Sequence, residues 1–250
     1  MTESLTILVA GATGRTGSEV VQEASRRGHD IIGIARASDE IEDVRIWPTD
    51  HFEDCLTDAD VVIDFTVPAA SQRFAHDIAA VGCPYVLGTT GFTEAELTSL
   101  RTITEEIPLL KATNFAKGVH ALLRIIEIGV AALPEYDVEL TDTHHNTKRD
   151  APSGTANTIL DRIDSVRDDK LTHIYGRSGE HQRESNEIGV HVRRAGTVRG
   201  EHELLLAGND EVITLSHRAE SRRVFAAGAV DAAEWILDQE PGWYDFEEVL

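Results

Sequence analysis

Two adjacent histidines and a lysine lie in one short stretch near the middle of the chain, from His144 to Ala156. Imidazole titrates near neutral pH, so His144, together with Lys148, could carry or donate a proton during a reaction. Metal binding by the histidines is a weaker interpretation, because neighbouring side chains on a strand point to opposite faces and no third ligand follows at a usual spacing. A purely structural pair of histidines is the remaining alternative.

The second half of this stretch has the residues of a helix start. Either Ser153 or Thr155 can cap the helix, and Gly154 leaves backbone amides open to a carboxylate. A helix start without a ligand is the alternative. Cations recur farther along the chain, and such clusters suit a small anion with more than one carboxylate. The cations are Lys148, Arg149, Arg193, Arg194, Arg199, His217, Arg218, Arg222 and Arg223.

A glycine-rich turn from Gly11 to Gly17 lies between a predicted strand, Leu5 to Ala10, and a helical pattern that ends at Gly28. In this order, glycines let a dinucleotide approach the backbone, and the helix N-terminus offers free N–H groups to its pyrophosphate. The spacing is GxxGxxG rather than GxGxxG, so a plain turn between strand and helix is the alternative.

The next predicted strand, Asp30 to Ala35, ends in Arg36. An acidic residue at this place would hold the ribose 2′-hydroxyl of NADH, whereas an arginine can neutralise the 2′-phosphate of NADPH. Arg36 therefore favours NADPH, while the nearby Asp39 and Glu40 keep NADH possible. A solvated surface cation is the other interpretation of Arg36.

Strand and helix patterns alternate through the rest of the first half. Predicted buried strands over 61–64, 85–87 and 108–112 lead into loops over 65–68, 88–92 and 113–115. Repeated alternation predicts a parallel sheet with functional loops at the carboxyl ends of its strands. The expected fold class is α/β, with a Rossmann-type parallel-sheet nucleotide domain.

The second half has a different pattern. Helices are predicted over 117–133, 155–163 and 224–237, and strands over 136–143, 171–175, 188–193, 201–206 and 212–217. Strands gathered without intervening helices predict a mixed or antiparallel sheet. We therefore expect a second, α+β substrate domain with a mixed open sheet.

Composition and charge exclude several classes of protein. The net charge of −21 argues against a nucleic-acid partner, and no apolar run approaches the roughly 18 residues that a membrane span needs. Met1 to Leu5 lacks the basic start of a signal peptide, so we expect a cytoplasmic protein. Cys55 and Cys83 have no CxxC spacing and are expected to be buried thiols. The acidic surface suggests a halophilic protein, whose self-repulsion is screened at high ionic strength.

The run from His144 to Ala156 resembles the signature of the 4-hydroxy-tetrahydrodipicolinate reductase family, in the diaminopimelate route to lysine. The resemblance covers nearly the full length of the chain. It extends to the glycine loop, Asp64-Phe-Thr, Gly88-Thr-Thr-Gly-Phe, Asn114-Phe115, Arg194-Ala-Gly196, Gly200-Glu-His202, His217-Arg218-Ala219, Gly228-Ala229 and Trp243-Tyr244-Asp245.

The resemblance implies roles for particular residues. His144 would be the catalytic proton donor or acceptor, and Lys148 a second proton donor. The substrate, a cyclic dicarboxylate, would be bound by His145, Lys148, Ser153, Gly154 and Thr155. The cofactor, NADPH with NADH possible, would be bound by Gly11, Ala12, Thr13, Gly14, Arg15, Thr16, Gly17, Arg36, Phe65, Thr66, Gly88, Thr89, Thr90, Thr113, Asn114 and Phe115. Ala35 replaces the acidic residue that the family has beside this arginine, which puts strong use of NADH in doubt.

The resemblance also implies an assembly and a division of the chain. We expect a homotetramer built through the substrate-domain sheets, with no nucleic acid or membrane partner and no metal. Residues 1–114 and 218–250 would form the dinucleotide-binding domain, and residues 115–217 the substrate-binding and oligomerisation domain. The C-terminal segment would return to the nucleotide domain.

Two rival functions are open from the sequence alone. The Gly-Ala-Thr-Gly opening also resembles atypical short-chain dehydrogenase/reductases, but none of Tyr85, Tyr136, Tyr175 and Tyr244 is followed four positions later by a lysine. A non-catalytic NADPH-binding sensor would keep the glycine loop and lose the proton donors, which this chain retains.

Overall fold

The computed structural model describes residues 4–41, 43–167 and 171–250, so the segment Met1–Glu3 that entered the expectation about a signal peptide lies outside the described residues. The chain divides into two compact units. One comprises Met1–Ala116 and Arg222–Leu250, and the other Lys117–Ser221. The division predicted from the sequence, at 114/115 and 217/218, lies a few residues from these boundaries.

The first unit is built on an eight-stranded sheet. Its strands are β1 (Thr6–Ala10), β2 (Asp30–Ala35), β3 (Asp39–Ile41), β4 (Val44–Pro48), β5 (Val61–Asp64), β6 (Tyr85–Leu87), β7 (Pro108–Lys111) and β13 (Gly242–Asp245). All neighbouring strands are parallel except the antiparallel pair β3 and β4. The strand order in this sheet is β13-β7-β6-β5-β1-β2-β4-β3.

Helices cover this sheet. They are α1 (Gly17–Arg26), α2 (Phe52–Leu56), α3 (Pro68–Val81), α4 (Glu94–Thr102) and α7 (Arg223–Ile236), with single 3-10 turns at Thr49–His51, Ile103–Glu105 and Phe246–Val249. The central strands are buried on both faces, which explains their continuous apolar sequences. Side chains that point to opposite faces of β1, such as Val9 and Leu8, belong to two separate hydrophobic clusters.

The parallel sheet predicted for the first half is therefore confirmed. The strands β3 and β4 were missed, because their residues are mostly exposed or half-buried and show no buried apolar run. The C-terminal segment does return to this sheet, since Trp243 pairs with Leu109 across β13 and β7. Both cysteines are buried as expected, and burial raises the pKa of the Cys83 thiol to about 12.

The second unit contains a five-stranded sheet. Its strands are β8 (Asp137–His144), β9 (Thr172–Tyr175), β10 (Glu187–Arg194), β11 (Glu201–Ala207) and β12 (Val212–Arg218). Strand β8 is parallel to β10 and antiparallel to β11, so the prediction of a mixed sheet is confirmed. The strand order in this sheet is β12-β11-β8-β10-β9. The helices of this unit are α5 (Lys117–Ala132) and α6 (Gly154–Val166). Within the described ranges, no helix has the length and apolar character needed to cross a membrane.

Candidate active site

The glycine loop is shaped so that its first residue must be glycine. Gly11 has a φ of +82°, in a region that side chains disfavour, and a Cβ added there would lie 2.6 Å from the carbonyl oxygen of Phe65. The loop thus packs its backbone directly on the backbone that follows β5. The loop leads directly into α1, which begins at Gly17, and a helix N-terminus reached by a tight glycine turn is the arrangement that a pyrophosphate requires.

Two cavities of the first unit bring the predicted cofactor residues together. The larger, of about 580 Å³, is lined by Gly11, Thr13, Gly14, Ala35, Arg36, Thr49, Phe65, Thr66, Val67, Ala69, Ala70, Arg73 and Phe74. The smaller, of about 310 Å³, is lined by Arg15, Thr16, Phe65, Thr66, Gly88, Thr89 and Thr90. Three loops that are far apart in the sequence therefore meet at one sheet edge, as the strand order requires. The residues present fit an extended dinucleotide, and the contacts with it stay a prediction.

A buried carboxylate fixes two of these loops. Asp64 is fully buried at the end of β5 and accepts hydrogen bonds from the Thr66 backbone N–H at 2.8 Å and the Thr66 hydroxyl at 2.6 Å. It also accepts from the hydroxyl groups of Tyr85 at 2.6 Å and Thr89 at 3.1 Å. The Tyr85 contact was not predicted, since nothing in the sequence pairs a buried strand tyrosine with this aspartate.

The remaining predicted cofactor loop, Thr113 to Phe115, lines neither of these two cavities. The Phe115 side chain lies in the core, where its ring packs edge-on against Phe65 and Phe246. Asn114 uses its side-chain oxygen to accept a hydrogen bond from the backbone N–H of Ala116 at 2.8 Å. Any contact of Phe115 with a cofactor would therefore come from its backbone, and the predicted role of this loop stays a prediction.

In the second unit, His144 is the last residue of β8 and is mostly buried. Its Nδ1 lies 2.9 Å from Oδ1 of Asp142, although the two are not aligned as a linear hydrogen bond. Asp142 and His144 are two residues apart on one strand, so their side chains share a face of the sheet. His202, from β11, joins them with its Nε2 3.4 Å from the same carboxylate oxygen.

Ser153 is the N-cap of α6, which confirms the predicted helix start. Its hydroxyl accepts a hydrogen bond from the backbone N–H of Ala156 at 3.2 Å and donates to Oδ1 of Asp142 at 2.9 Å. Its backbone N–H donates to Oδ2 of Asp142 at 2.9 Å. The hydroxyl is thus already engaged within the protein. Its predicted part in substrate binding stays a prediction.

The other residues of the predicted substrate set are more accessible. Gly154 is exposed, and a Cβ there would meet no atom within 4 Å. Lys148 is half-buried, with its Nζ 2.9 Å from Asp150. His145 has its Nδ1 2.7 Å from the hydroxyl of Thr147. The loop that leads into α6 therefore carries proton-carrying groups, and a helix N-terminus can bind a carboxylate.

The predicted cation clusters divide into structural and open groups. Arg194 donates to Asp142 at 3.1 Å and to the carbonyl oxygen of Asp150 at 2.6 Å, so it closes the loop that carries Lys148. A cavity of about 320 Å³ is lined by Arg199 and Arg218 together with Thr197, Val198, Ala219 and Glu220. In this cavity Arg218 also lies 3.6 Å from Glu220.

Asp142, His144 and His202 offer ligand atoms that lie within 4.8 Å of one another, a spacing that a metal ion could use. The spacing of nearby residues offered no third metal ligand, whereas His202 is distant in the sequence and comes from another strand. Both oxygens of Asp142 already accept hydrogen bonds from Ser153, and Oδ2 also contacts Arg194. The constellation is therefore better explained as a hydrogen-bonded carboxylate network. No other group of this kind occurs in the part of the chain that the structure describes.

Comparison with known proteins identifies the family of this chain. The family model described as dihydrodipicolinate reductase, N-terminus, matches residues 5–115, and dihydrodipicolinate reductase, C-terminus, matches residues 118–250. The chain belongs to the dihydrodipicolinate reductase family. This confirms the resemblance that the motifs carried.

Relatives of the family align with nearly the whole chain. A 4-hydroxy-tetrahydrodipicolinate reductase of Natronomonas pharaonis is 64% identical over 246 residues, which cover 98% of this chain and 100% of that protein. One of Haloarcula marismortui is 50% identical over 247 residues, 98% of each chain. A dipicolinate-bound dihydrodipicolinate reductase from Paenisporosarcina sp. TG-14 has a TM-score of 0.79 at 22% identity, covering 99% of this chain and 100% of that one, which supports the fold.

Proposed function

We propose that this member of the family reduces 4-hydroxy-tetrahydrodipicolinate to tetrahydrodipicolinate with loss of water, in the diaminopimelate route to lysine. The observation that carries the proposal is that the family match spans both units and includes His144, Lys148 and the N-terminus of α6. In the reaction one hydride and one proton enter the substrate and one water leaves. A protein of this kind must therefore hold a nicotinamide cofactor, a dicarboxylate and a proton donor.

The cofactor, when bound, supplies the hydride to C4 of the ring. The residues of the two cavities in the first unit would hold it, with Gly11 to Gly17 at the pyrophosphate and Gly88 to Thr90 toward the nicotinamide. Exposed Arg36 lines the larger cavity next to Ala35, and it favours NADPH because its charge can neutralise a 2′-phosphate. NADH would bind without that contact.

Within the second unit, His144 and Lys148 would move protons, with Lys148 also binding the substrate. His145, Gly154 and Thr155 would bind its carboxylates, the last two through backbone amides at the start of α6. General acid catalysis is typically worth roughly 10²- to 10⁴-fold in rate, and orientation of the bound substrate adds to it. These groups therefore divide between binding and chemistry.

We further propose a cytoplasmic homotetramer adapted to high salt. Val212 and Ile213 are exposed on β12, and such apolar side chains suit contact with a second copy of the same sheet. Sedimentation in low and molar salt checks the assembly, with a monomer contradicting it. Thermal unfolding over the same salt range checks the adaptation, which requires the melting temperature to rise as salt screens the charge of −21.

One assay tests the proposed reaction. The condensing enzyme generates the substrate from pyruvate and aspartate semialdehyde, and oxidation of NADPH is followed in molar salt. We expect oxidation only in the complete mixture. NADPH binding without turnover would indicate the sensor, and turnover only with unrelated carbonyl or alcohol substrates would indicate a short-chain dehydrogenase/reductase activity.

A further inference from the structure

Asp142 has no exposed surface, yet it carries a carboxylate in the interior of the second unit. A buried charge is costly unless it is paired and hydrogen-bonded. Burial by itself would raise the pKa of Asp142, but the His144 and His202 side chains beside the carboxylate and the hydrogen bonds from Ser153 outweigh it and hold the pKa well below the ordinary value. The carboxylate is thus held ionised by its partners.

The partners of Asp142 come from three separate parts of the second unit. His144 is on the same strand, His202 is on β11, and Ser153 begins α6. Oδ1 faces both histidines and the Ser153 hydroxyl, whereas Oδ2 faces the Ser153 backbone N–H and the Arg194 guanidinium. One carboxylate therefore links the proposed proton donor to the helix whose amides would bind the substrate.

The His144 ring is constrained on both sides. Nδ1 faces Asp142, and Nε2 faces Gly200, where an added Cβ would lie 3.1 Å from that nitrogen. Gly200 also has a φ of +157°, which side chains rarely adopt. An anionic neighbour at Nδ1 favours the tautomer with its proton on Nδ1.

We propose that Asp142 is the positioning residue of this site: its carboxylate orients His144 for proton transfer through Nε2 and fixes the N-cap of α6 through Ser153. The inference rests on the proposed function, because it assigns the proton donor to His144. Asp142 acts through His144 and does not touch the substrate. Arg194 and His202 keep the carboxylate in place.

The test compares kcat and KM for wild type, Asp142→Asn, His144→Gln and the double variant. Asparagine keeps the size of the side chain and removes its charge. We expect kcat of Asp142→Asn to fall roughly 10²- to 10⁴-fold, since proton transfer is impaired, with KM within about threefold. The double variant should be no slower than His144→Gln, because residues that act as one unit are not additive.

Two further variants separate positioning from a structural effect. Glu139→Gln breaks another carboxylate–histidine pair on β8, since Glu139 lies 2.6 Å from His191, and it should leave kcat unchanged. Ser153→Ala removes the N-cap and keeps Asp142, so it should raise KM while kcat falls far less. Thermal unfolding and NADPH titration show whether each variant is folded. If Asp142→Asn is unfolded, Asp142→Glu is measured instead, and it should also lose kcat because its longer side chain displaces the carboxylate.

The possible failures are distinguishable. Wild type that does not reduce the substrate refutes the proposed function, and a fully active His144→Gln refutes the assignment of the donor. An active wild type, an impaired His144→Gln and a fully active Asp142→Asn would refute the positioning role alone. An equal loss in Ser153→Ala and Asp142→Asn would refute it too, as would activity that depends on added divalent metal and is abolished by a chelator.

Discussion

Each of the two units contains a fully buried aspartate near the carboxyl end of a strand, but the two carboxylates have different partners. Asp64 accepts hydrogen bonds only from neutral groups among its described contacts, namely a backbone amide and three hydroxyls. Asp142 accepts hydrogen bonds from Ser153 and Arg194 and lies beside two histidines. One carboxylate is held by neutral groups, and the other also contacts a guanidinium and two imidazoles.

This difference indicates different tasks. Neutral donors hold a carboxylate without changing charge themselves, so the Asp64 network suits a rigid support for the loops that carry Thr66 and Thr89. Burial first, and then the charge of Asp64 and its hydrogen bond, raise the pKa of Tyr85 well above its ordinary value, which keeps the phenol protonated as a donor. The Asp142 network contains imidazole side chains, which are the commonest general acids and bases in enzymes.

The largest expected effect comes from removing the proton donors of the second unit. His144→Gln or Lys148→Ala should lower kcat roughly 10²- to 10⁴-fold and leave NADPH binding unchanged. Steady-state rates and fluorescence titration with NADPH measure the two properties. His191→Gln is the control, because His191 is in the same sheet and pairs with Glu139. Full turnover by both donor variants would show that the role assignment is wrong.

The support network of the first unit should respond through stability instead. Tyr85→Phe removes the hydroxyl that donates to Asp64 at 2.6 Å, and a hydrogen bond to a charged group contributes about 1.5–3 kcal/mol. We expect the free energy of unfolding to fall by about that amount in denaturant titrations, with kcat within about threefold. A tenfold loss of kcat without a loss of stability would contradict the comparison.

The same tyrosine gives the first unit a dependence on alkaline pH. Because the pKa of Tyr85 is raised in the folded state, its stabilising contribution is complete below the unfolded-state pKa of about 10 and is lost as pH rises above it. Stability of the wild type should therefore decline more steeply above about pH 10 than that of Tyr85→Phe. Parallel slopes of the two proteins in denaturant titrations from pH 9 to 11 would contradict this.

The smallest expected effect concerns the choice of cofactor. Arg36→Ala should raise KM for NADPH by about tenfold, which corresponds to about 1.4 kcal/mol, and change KM for NADH by less than about twofold. Arg45→Ala is a suitable control, because Arg45 stacks 3.6 Å above the Trp47 ring rather than lining the larger cavity. Equal changes in the two KM values would mean that Arg36 does not recognise the 2′-phosphate.

Much of the fold could be predicted because it depends on local patterns. Buried parallel strands such as β5 have continuous apolar sequences, and Ser153 caps α6 as its residue type suggests. The strands β3 and β4 could not be predicted, because their residues are mostly exposed or half-buried and lack an apolar pattern.

The candidate site was predicted only in part, for a similar reason. The residues from His144 to Thr155 are consecutive, but Asp142 meets His202 and Arg194 through pairing of β8 with β11 and β10, which local sequence does not reveal. One signal was available: Asp142 is two residues before His144 on a predicted strand, and so shares its face.

The central claim is tested most directly by one comparison of turnover in molar salt. Purified wild type and His144→Gln are each mixed with NADPH and with substrate made in situ from pyruvate and aspartate semialdehyde. We expect wild type to oxidise NADPH and to form tetrahydrodipicolinate. We expect His144→Gln to bind NADPH normally and to turn over at least about a hundredfold more slowly. No oxidation by folded wild type, or equal rates for the two proteins, would contradict it.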